Sequence, residues 1–252
     1  MRLRIAANIT LMFPELPFLD RIGAAAEAGF DGIEILFPYD DPVREVTRRL
    51  RAVHLPLVLI NCPPPNYTGR ARGMAAVPGL EDRFRSDFRR SLRFARELGA
   101  GRIHVMAGEA EGTAARTVLA SNLAWAAAEA DDMPLSIEPL NPVDFPGYFL
   151  NGFQLAADIL AEVGAPSLGL QFDAYHSAMI HGDILPQWDR FGALSTHVQI
   201  AGAPGRHEPD TPAVAEFLER LKTDGYTGWV SAEYRPRGET LAGLGWLASA
   251  RG

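Results

Sequence analysis

Four residues stand out by type and spacing: Glu138, Asp173, Gln199 and Glu233. Each follows a short apolar or β-branched run, as in Leu135-Ser-Ile before Glu138 and Trp229-Val-Ser-Ala before Glu233. They lie 35, 26 and 34 residues apart, one strand-helix repeat each. A buried strand has no favourable place for a carboxylate. One at a strand tip therefore needs a cation, a proton or a water-filled mouth. Three carboxylates held together do not all stay ionised without a cation. Oxygen donors of this kind suit Mg²⁺ or Mn²⁺, whereas zinc favours more His and Cys. The expected cofactor is a divalent metal ion held by Glu138, Asp173, Gln199 and Glu233.

Other residues group around this set. His176, in Phe172-Asp-Ala-Tyr-His176, lies just beyond Asp173 and is placed to donate to a substrate oxygen. Arg206, after Ala203-Pro-Gly205, is placed to hold a substrate carboxylate in two-point contact. Arg70 and Arg72 can do the same from a long loop, and Asn8 reaches the substrate from the first strand tip. His197 shares a strand face with Gln199 and reads as a buried, hydrogen-bonded residue. His104 reads as core, and His54 and His181 as surface.

Positioning these residues requires strands that all point one way. Strands are expected at 3–8, 32–36, 55–61, 102–106, 135–138, 168–173, 194–200 and 229–233. Helical patterns fall between them, at 16–28, 42–53, 81–98, 113–130, 152–163, in part over 177–190, at 213–223 and at 240–249. Trp125 is expected on a core-facing helix side. The segment Cys62–Gly79, rich in Pro and Gly, is irregular, and a loop of that length is functional or disordered. Eight alternating units argue for a parallel sheet closed into a single-domain (β/α)8 TIM barrel spanning residues 1–252. A doubly wound open sheet is the alternative. In such a barrel the strand tips Asn8, Glu34, Asn61, Glu138, Asp173, Gln199 and Glu233 face one mouth.

Composition narrows the chemistry. The chain has 252 residues, 47% of them hydrophobic, and a net charge of -7, which is against a general nucleic-acid binder. A single cysteine, Cys62, excludes an internal disulfide and a four-cysteine zinc site. Lys222 is the only lysine and ends an amphipathic helical stretch, so Schiff-base chemistry drops out. No Gly-x-Gly-x-x-Gly, Walker or Gly-x-Ser-x-Gly pattern supports nucleotide binding or a hydrolase triad. The N-terminus is too short in its apolar run for a signal peptide, and no run approaches the roughly 20 apolar residues of a membrane span. A cytoplasmic protein is expected, without membrane or nucleic-acid partners and with a homo-oligomer left open.

Phe37-Pro-Tyr-Asp40, Arg72-Gly73, Val77-Pro-Gly79, Ile137-Glu-Pro-Leu-Asn141, Phe145-Pro-Gly147, Gln171-Phe-Asp-Ala-Tyr-His176, His197-Val-Gln-Ile-Ala201 and Ala232-Glu-Tyr234 resemble the hydroxypyruvate isomerase family. That family belongs to the xylose isomerase-like TIM barrels, which also include sugar epimerases and endonuclease IV. The likeness runs over nearly the whole chain. It implies that Glu138 and Glu233 are the catalytic acid-base pair and that Glu138, Asp173, Gln199 and Glu233 form the metal shell. One stretch departs: relatives continue the loop after strand seven through a Gly-Glu-Ile-type run, and here Glu208-Pro-Asp-Thr-Pro-Ala213 replaces it. That loop lies over the substrate in the family.

The resemblance implies a metal-dependent isomerase of a small hydroxy-oxo acid acting through an enediolate. Hydroxypyruvate to 2-hydroxy-3-oxopropanoate comes first and 2-oxo-tetronate second. A ketose 3-epimerase, an endonuclease-IV-like repair enzyme and a non-catalytic binding module are the rivals.

Overall fold

The computed structural model describes residues 2–62 and 72–251, so Arg70 lies outside the described residues. Eight parallel strands close into a barrel in chain order: β1 (Arg4–Asn8), β2 (Gly32–Glu34), β3 (Leu57–Asn61), β4 (Ile103–His104), β5 (Leu135–Ile137), β6 (Leu168–Asp173), β7 (Ser195–Ile200) and β8 (Trp229–Ala232). β8 pairs back onto β1 through Arg4 opposite Trp229, which completes the expected (β/α)8 architecture.

The helices described are α1 (Asp20–Glu27), α2 (Val43–Val53), α3 (Glu81–Leu98), α4 (Gly112–Ala130), α5 (Phe153–Val163), α6 (Ala174–His181), α7 (Leu185–Phe191), α8 (Pro212–Thr223) and α9 (Gly245–Arg251). Three differ from the sequence reading. The first starts at Asp20 rather than Leu16, because Pro17 disfavours helical backbone at the residue before it. The stretch 177–190 is two helices, separated where Gly182 takes left-handed backbone. The last helix begins as a 3₁₀ turn over Thr240–Gly243, since glycines at 243 and 245 weaken an α-helical start. Trp125 of α4 packs edge-on against Phe84 and Phe88 of α3, under Arg85 and Arg89.

Strand side chains alternate between the helix-facing layer and the barrel interior. The outer layer is apolar and fully buried: Ile5 and Ala7 on β1, Leu170 on β6, Val198 and Ile200 on β7. The inner positions near the C-terminal mouth are polar on every strand: Asn8, Glu34, Asn61, His104, Ser136, Gln171, His197 with Gln199, and Ser231. Register sets them side by side, with Asn8 opposite Glu34, Asn61 opposite His104 and Asp173 opposite Gln199. Two register shifts occur, at Ile33/Glu34 and at Leu170/Gln171. Both immediately precede inward polar side chains, and a bulge re-aims the residue it precedes.

The third loop returns across the mouth at Gly73, which bridges to Ala107 beyond β4. Gly73 has φ 92°, and a Cβ there would overlap the Met106 carbonyl oxygen, so only glycine permits this crossing. Among the described residues, no helix is long and apolar enough to cross a membrane.

Candidate active site

β5 ends at Ile137, and Glu138 follows it into the mouth with only 4% exposure. Asp173 ends β6 and also caps α6, its Oδ1 accepting from the Tyr175 N–H at 2.7 Å. Glu233 follows β8 and is buried. The guanidinium of Arg206 lies between them. Its Nη2 is 2.8 Å from both Asp173 Oδ2 and Glu233 Oε1, and its Nε donates to the Glu233 carbonyl at 3.1 Å. Arg206 is held in left-handed backbone at φ 54°, an uncommon state for a side chain of this size. It stacks on Tyr175 at 4.9 Å, whose hydroxyl donates to Asp144 at 2.6 Å.

His176 completes the cluster. Its Nδ1 accepts from the Asn141 backbone N–H at 3.0 Å and lies 2.9 Å from Asn141 Nδ2, and its Nε2 faces a further donor in Arg206, so every contact of the ring favours its neutral form. Nε2 lies 3.7 Å from both Glu138 Oε1 and Asp173 Oδ2, and 2.9 Å from Arg206 Nη1. Phe145 packs on the ring at 5.6 Å and carries Arg72 on its own face at 5.3 Å.

These contacts set the electrostatics. Burial, followed by the charges of Asp173 and Glu233, pushes the Glu138 carboxyl well above the usual carboxylate range. Burial lifts Glu233 to about 8 against the pull of Arg206. Asp173 is raised by burial too, with Arg206 and the Tyr175 and His176 N–H groups opposing. Burial and Arg206 hold His176 well below its ordinary value, and burial lowers His104 to about 3, so both rings are neutral. Arg206 itself is raised despite burial, because Glu233, Asp173 and Glu138 surround it.

A small divalent cation fits this set. Glu138, Asp173 and His176 each bring one donor atom within 4.8 Å of the other two, whereas Glu233, expected in the metal shell, is outside that triad and pairs with Arg206. Glu138 Oε1 is buried without a hydrogen-bond partner among the described residues. Asp173 and Glu233 share the single guanidinium of Arg206.

Gln199 lies behind Glu138, in a layer the sequence reading did not resolve. Its Oε1 accepts from Gln171 Nε2 at 2.8 Å and its Nε2 donates to Glu34 at 2.7 Å. Asn8 does not line the cavity; its Nδ2 donates to Glu34 at 2.7 Å and its Oδ1 accepts from the Thr10 N–H. Glu34 is fully buried, and hydrogen bonds and charge from His197, together with Gln199, outweigh burial to hold its carboxyl low. The residues not foreseen here are Ser136, Gln171 and the partnership of Glu34 with His197. The signal was present in the period of two: Ser136 with Glu138, Gln171 with Asp173, and Ser231 with Glu233 repeat the His197–Gln199 spacing. The cavity above has a volume of about 680 Å³, and Glu138, His176, Arg206, Glu233, Arg72 and Arg235 line it.

A closed parallel barrel with a buried carboxylate cluster at its C-terminal mouth is the framework of a small-molecule enzyme. The chain belongs to the xylose isomerase-like TIM barrel family, whose model matches residues 22–250, and within it to the hydroxypyruvate isomerase-like enzymes. It is 44% identical to the 2-oxo-tetronate isomerase of Cupriavidus necator over 97% of each chain. It is 35% identical to the hydroxypyruvate isomerase of Escherichia coli over 97% of this chain and 98% of that one. A crystal structure of an AP endonuclease, family 2, from Brucella melitensis superposes over 100% of both chains at TM-score 0.95 and 38% identity.

Proposed function

We propose that this enzyme interconverts a small 2-oxo-3-hydroxy acid and its 2-hydroxy-3-oxo isomer through an enediolate, with hydroxypyruvate as the first substrate. The observation that carries this is the pair Glu138 and Glu233. Both are buried carboxylates beside Asp173 and Arg206, and in the metal-free chain burial raises both, Glu233 to about 8.

One of the two removes the proton from C3 of hydroxypyruvate, and the other delivers one to C2. The hydroxyl proton passes from the C3 oxygen to the C2 oxygen. His176 lines the cavity and is placed to meet a substrate oxygen. Arg206 keeps positive charge beside the developing enediolate. Glu138, Asp173, Gln199 and Glu233 are the residues that would hold Mg²⁺ or Mn²⁺, and the ion would polarise neighbouring substrate oxygens as a Lewis acid.

Arg206 is engaged by Asp173 and Glu233, so it stays at the floor of the cavity. Arg72 and Arg235 are the exposed cations in the lining, and they are where a substrate carboxylate is met. About 680 Å³ admits three- and four-carbon acids alike, so 2-oxo-tetronate is the alternative substrate. Activity on abasic-site DNA has less support, because the chain carries a net charge of -7.

The test is turnover of hydroxypyruvate and of 2-oxo-tetronate in heavy water, followed by proton NMR. Deuterium should enter at the carbon that gains a proton, and Glu138→Gln should lose that exchange. No exchange by the wild-type enzyme with either acid would sink the proposal.

A further inference from the structure

The polar layer beneath the site forms a chain of hydrogen bonds with a defined direction. Glu34 Oε1 accepts from Asn8 Nδ2 and from Gln199 Nε2, both at 2.7 Å, and Oε2 takes His197 Nε2 at 2.7 Å. Gln199 Oε1 accepts from Gln171 Nε2 at 2.8 Å. The same Gln171 Nε2 donates to Glu138 Oε2 at 2.9 Å, while Gln171 Oε1 accepts from Ser136 Oγ at 3.0 Å. Every one of these side chains is buried.

A carboxamide can be turned by 180° at little steric cost, so its orientation is set by its partners. An ionised carboxylate accepts and never donates. Glu34 therefore obliges Gln199 to present its NH₂ group, which sends the Gln199 carbonyl oxygen the other way. That oxygen in turn obliges Gln171 to present NH₂, which then also reaches Glu138 Oε2. Glu138 is left with one oxygen tied down and the other, Oε1, free toward His176.

We propose that Glu34, at the tip of β2, is a positioning residue that fixes the direction of the Gln199 carboxamide and, through Gln171, the orientation of the Glu138 carboxylate. The inference rests on the reading of Gln199 and Glu138 as cation ligands. It gives the fully buried Glu34 a role through the glutamine it contacts. On that reading the Gln199 carbonyl oxygen is the ligand atom, and a reversed carboxamide would offer in its place an NH₂ group, which cannot ligate a cation.

The experiment compares two substitutions by Mn²⁺ titration and by carboxamide hydrogen exchange. Glu34→Leu removes the acceptor. Glu34→Gln keeps one on the Gln199 side, because Asn8, pinned by its own bond from the Thr10 N–H, holds the new amide oxygen there. Removing an outer-shell partner typically weakens metal affinity by about 10–100-fold. Glu34→Leu should show a loss in this range, and Glu34→Gln a clearly smaller one. Equal losses in the two variants, or none in Glu34→Leu, overturn the proposal.

The chain has four glutamines, so ¹⁵N-glutamine labelling gives four carboxamide signals, and Gln199→Glu identifies the one that matters. In the wild-type protein the Gln199 NH₂ should exchange slowly with water and stay slow when Mg²⁺ is added. Fast exchange, before or after Mg²⁺, overturns the proposal even where Glu34→Leu does not fold. A wild-type protein that binds no Mn²⁺ overturns the ligand reading instead, and the carboxamide exchange then decides the role of Glu34 alone.

Discussion

Arg206 and Arg102 belong to opposite ends of the same barrel, and their partners are of different kinds. Arg206, at the C-terminal mouth, meets Asp173 and Glu233. Arg102, at the N-terminal end, donates to the backbone carbonyls of Leu135 at 3.0 Å and Thr196 at 3.2 Å. Burial lowers Arg102, with no carboxylate among its causes, whereas the carboxylates around Arg206 outweigh burial and raise it. Nearby, Arg4 lies over Trp229 at 4.6 Å, and Ala6, Val58 and Leu59 pack against that indole. The N-terminal end thus satisfies backbone carbonyls and fills space. The mouth concentrates like charges that no folding requirement calls for. A barrel of this kind separates stability from chemistry along its axis.

The sharpest way to break the contrast is to remove the acid-base groups without changing their shape. Glu138→Gln should reduce turnover by about 10²–10⁴-fold, the range for loss of a general acid or base, with the fold intact by circular dichroism. Arg206→Leu comes next. It leaves Asp173 and Glu233 buried without their cation and should destabilise the metal-free protein by about 3–5 kcal/mol in urea unfolding at pH 8. At pH 6 the loss should be smaller, because raised carboxyls take up protons instead.

The pH dependence sharpens the same point. A carboxyl raised in the folded chain keeps its proton where the unfolded chain has lost it. The stabilising contribution of Glu233 is therefore complete below its ordinary value of 4.5 and is lost as pH rises through about 8. The melting temperature of the metal-free protein should fall over this window, and saturating Mg²⁺ should reduce the fall. Mg²⁺ affinity should rise with pH over the same window, by up to about tenfold per unit for each proton displaced. The smallest effect belongs to the other end. Arg102→Leu should cost about 1–3 kcal/mol, as expected for unpaired carbonyls, and leave kcat/KM unchanged. A loss of turnover there would show that the two ends are not separate.

The legibility of the site follows the same division. Glu138, Asp173 and Glu233 were recognisable because a carboxylate after an apolar run violates the local pattern of a buried strand. Arg206 was recognisable by its place after strand seven, but its engagement with two carboxylates was not, since that depends on how the loop folds back over β8. Ser136 and Gln171 share a strand face with Glu138 and Asp173 by the period of two, but which partners they bond is set by the neighbouring strands. The loop at 208–211 is tied down by Arg237. The Arg237 N–H donates to Glu208 at 2.9 Å, and its guanidinium reaches Glu208 and Asp210, both at 3.1 Å.

From the order of apolar runs and breakers alone, the eightfold alternation, the parallel sheet and the identity of most strand-tip carboxylates were determined, because these follow from local periodicity and the short reach of strand-helix connections. The two register shifts and the direction of the hydrogen-bond chain from Glu34 to Glu138 were decided only in three dimensions. Glu34 and His197 meet across 163 residues of chain, and no local preference specifies such a contact. It arises when closure brings β2 and β7 to one interior, where a buried carboxylate must find donors.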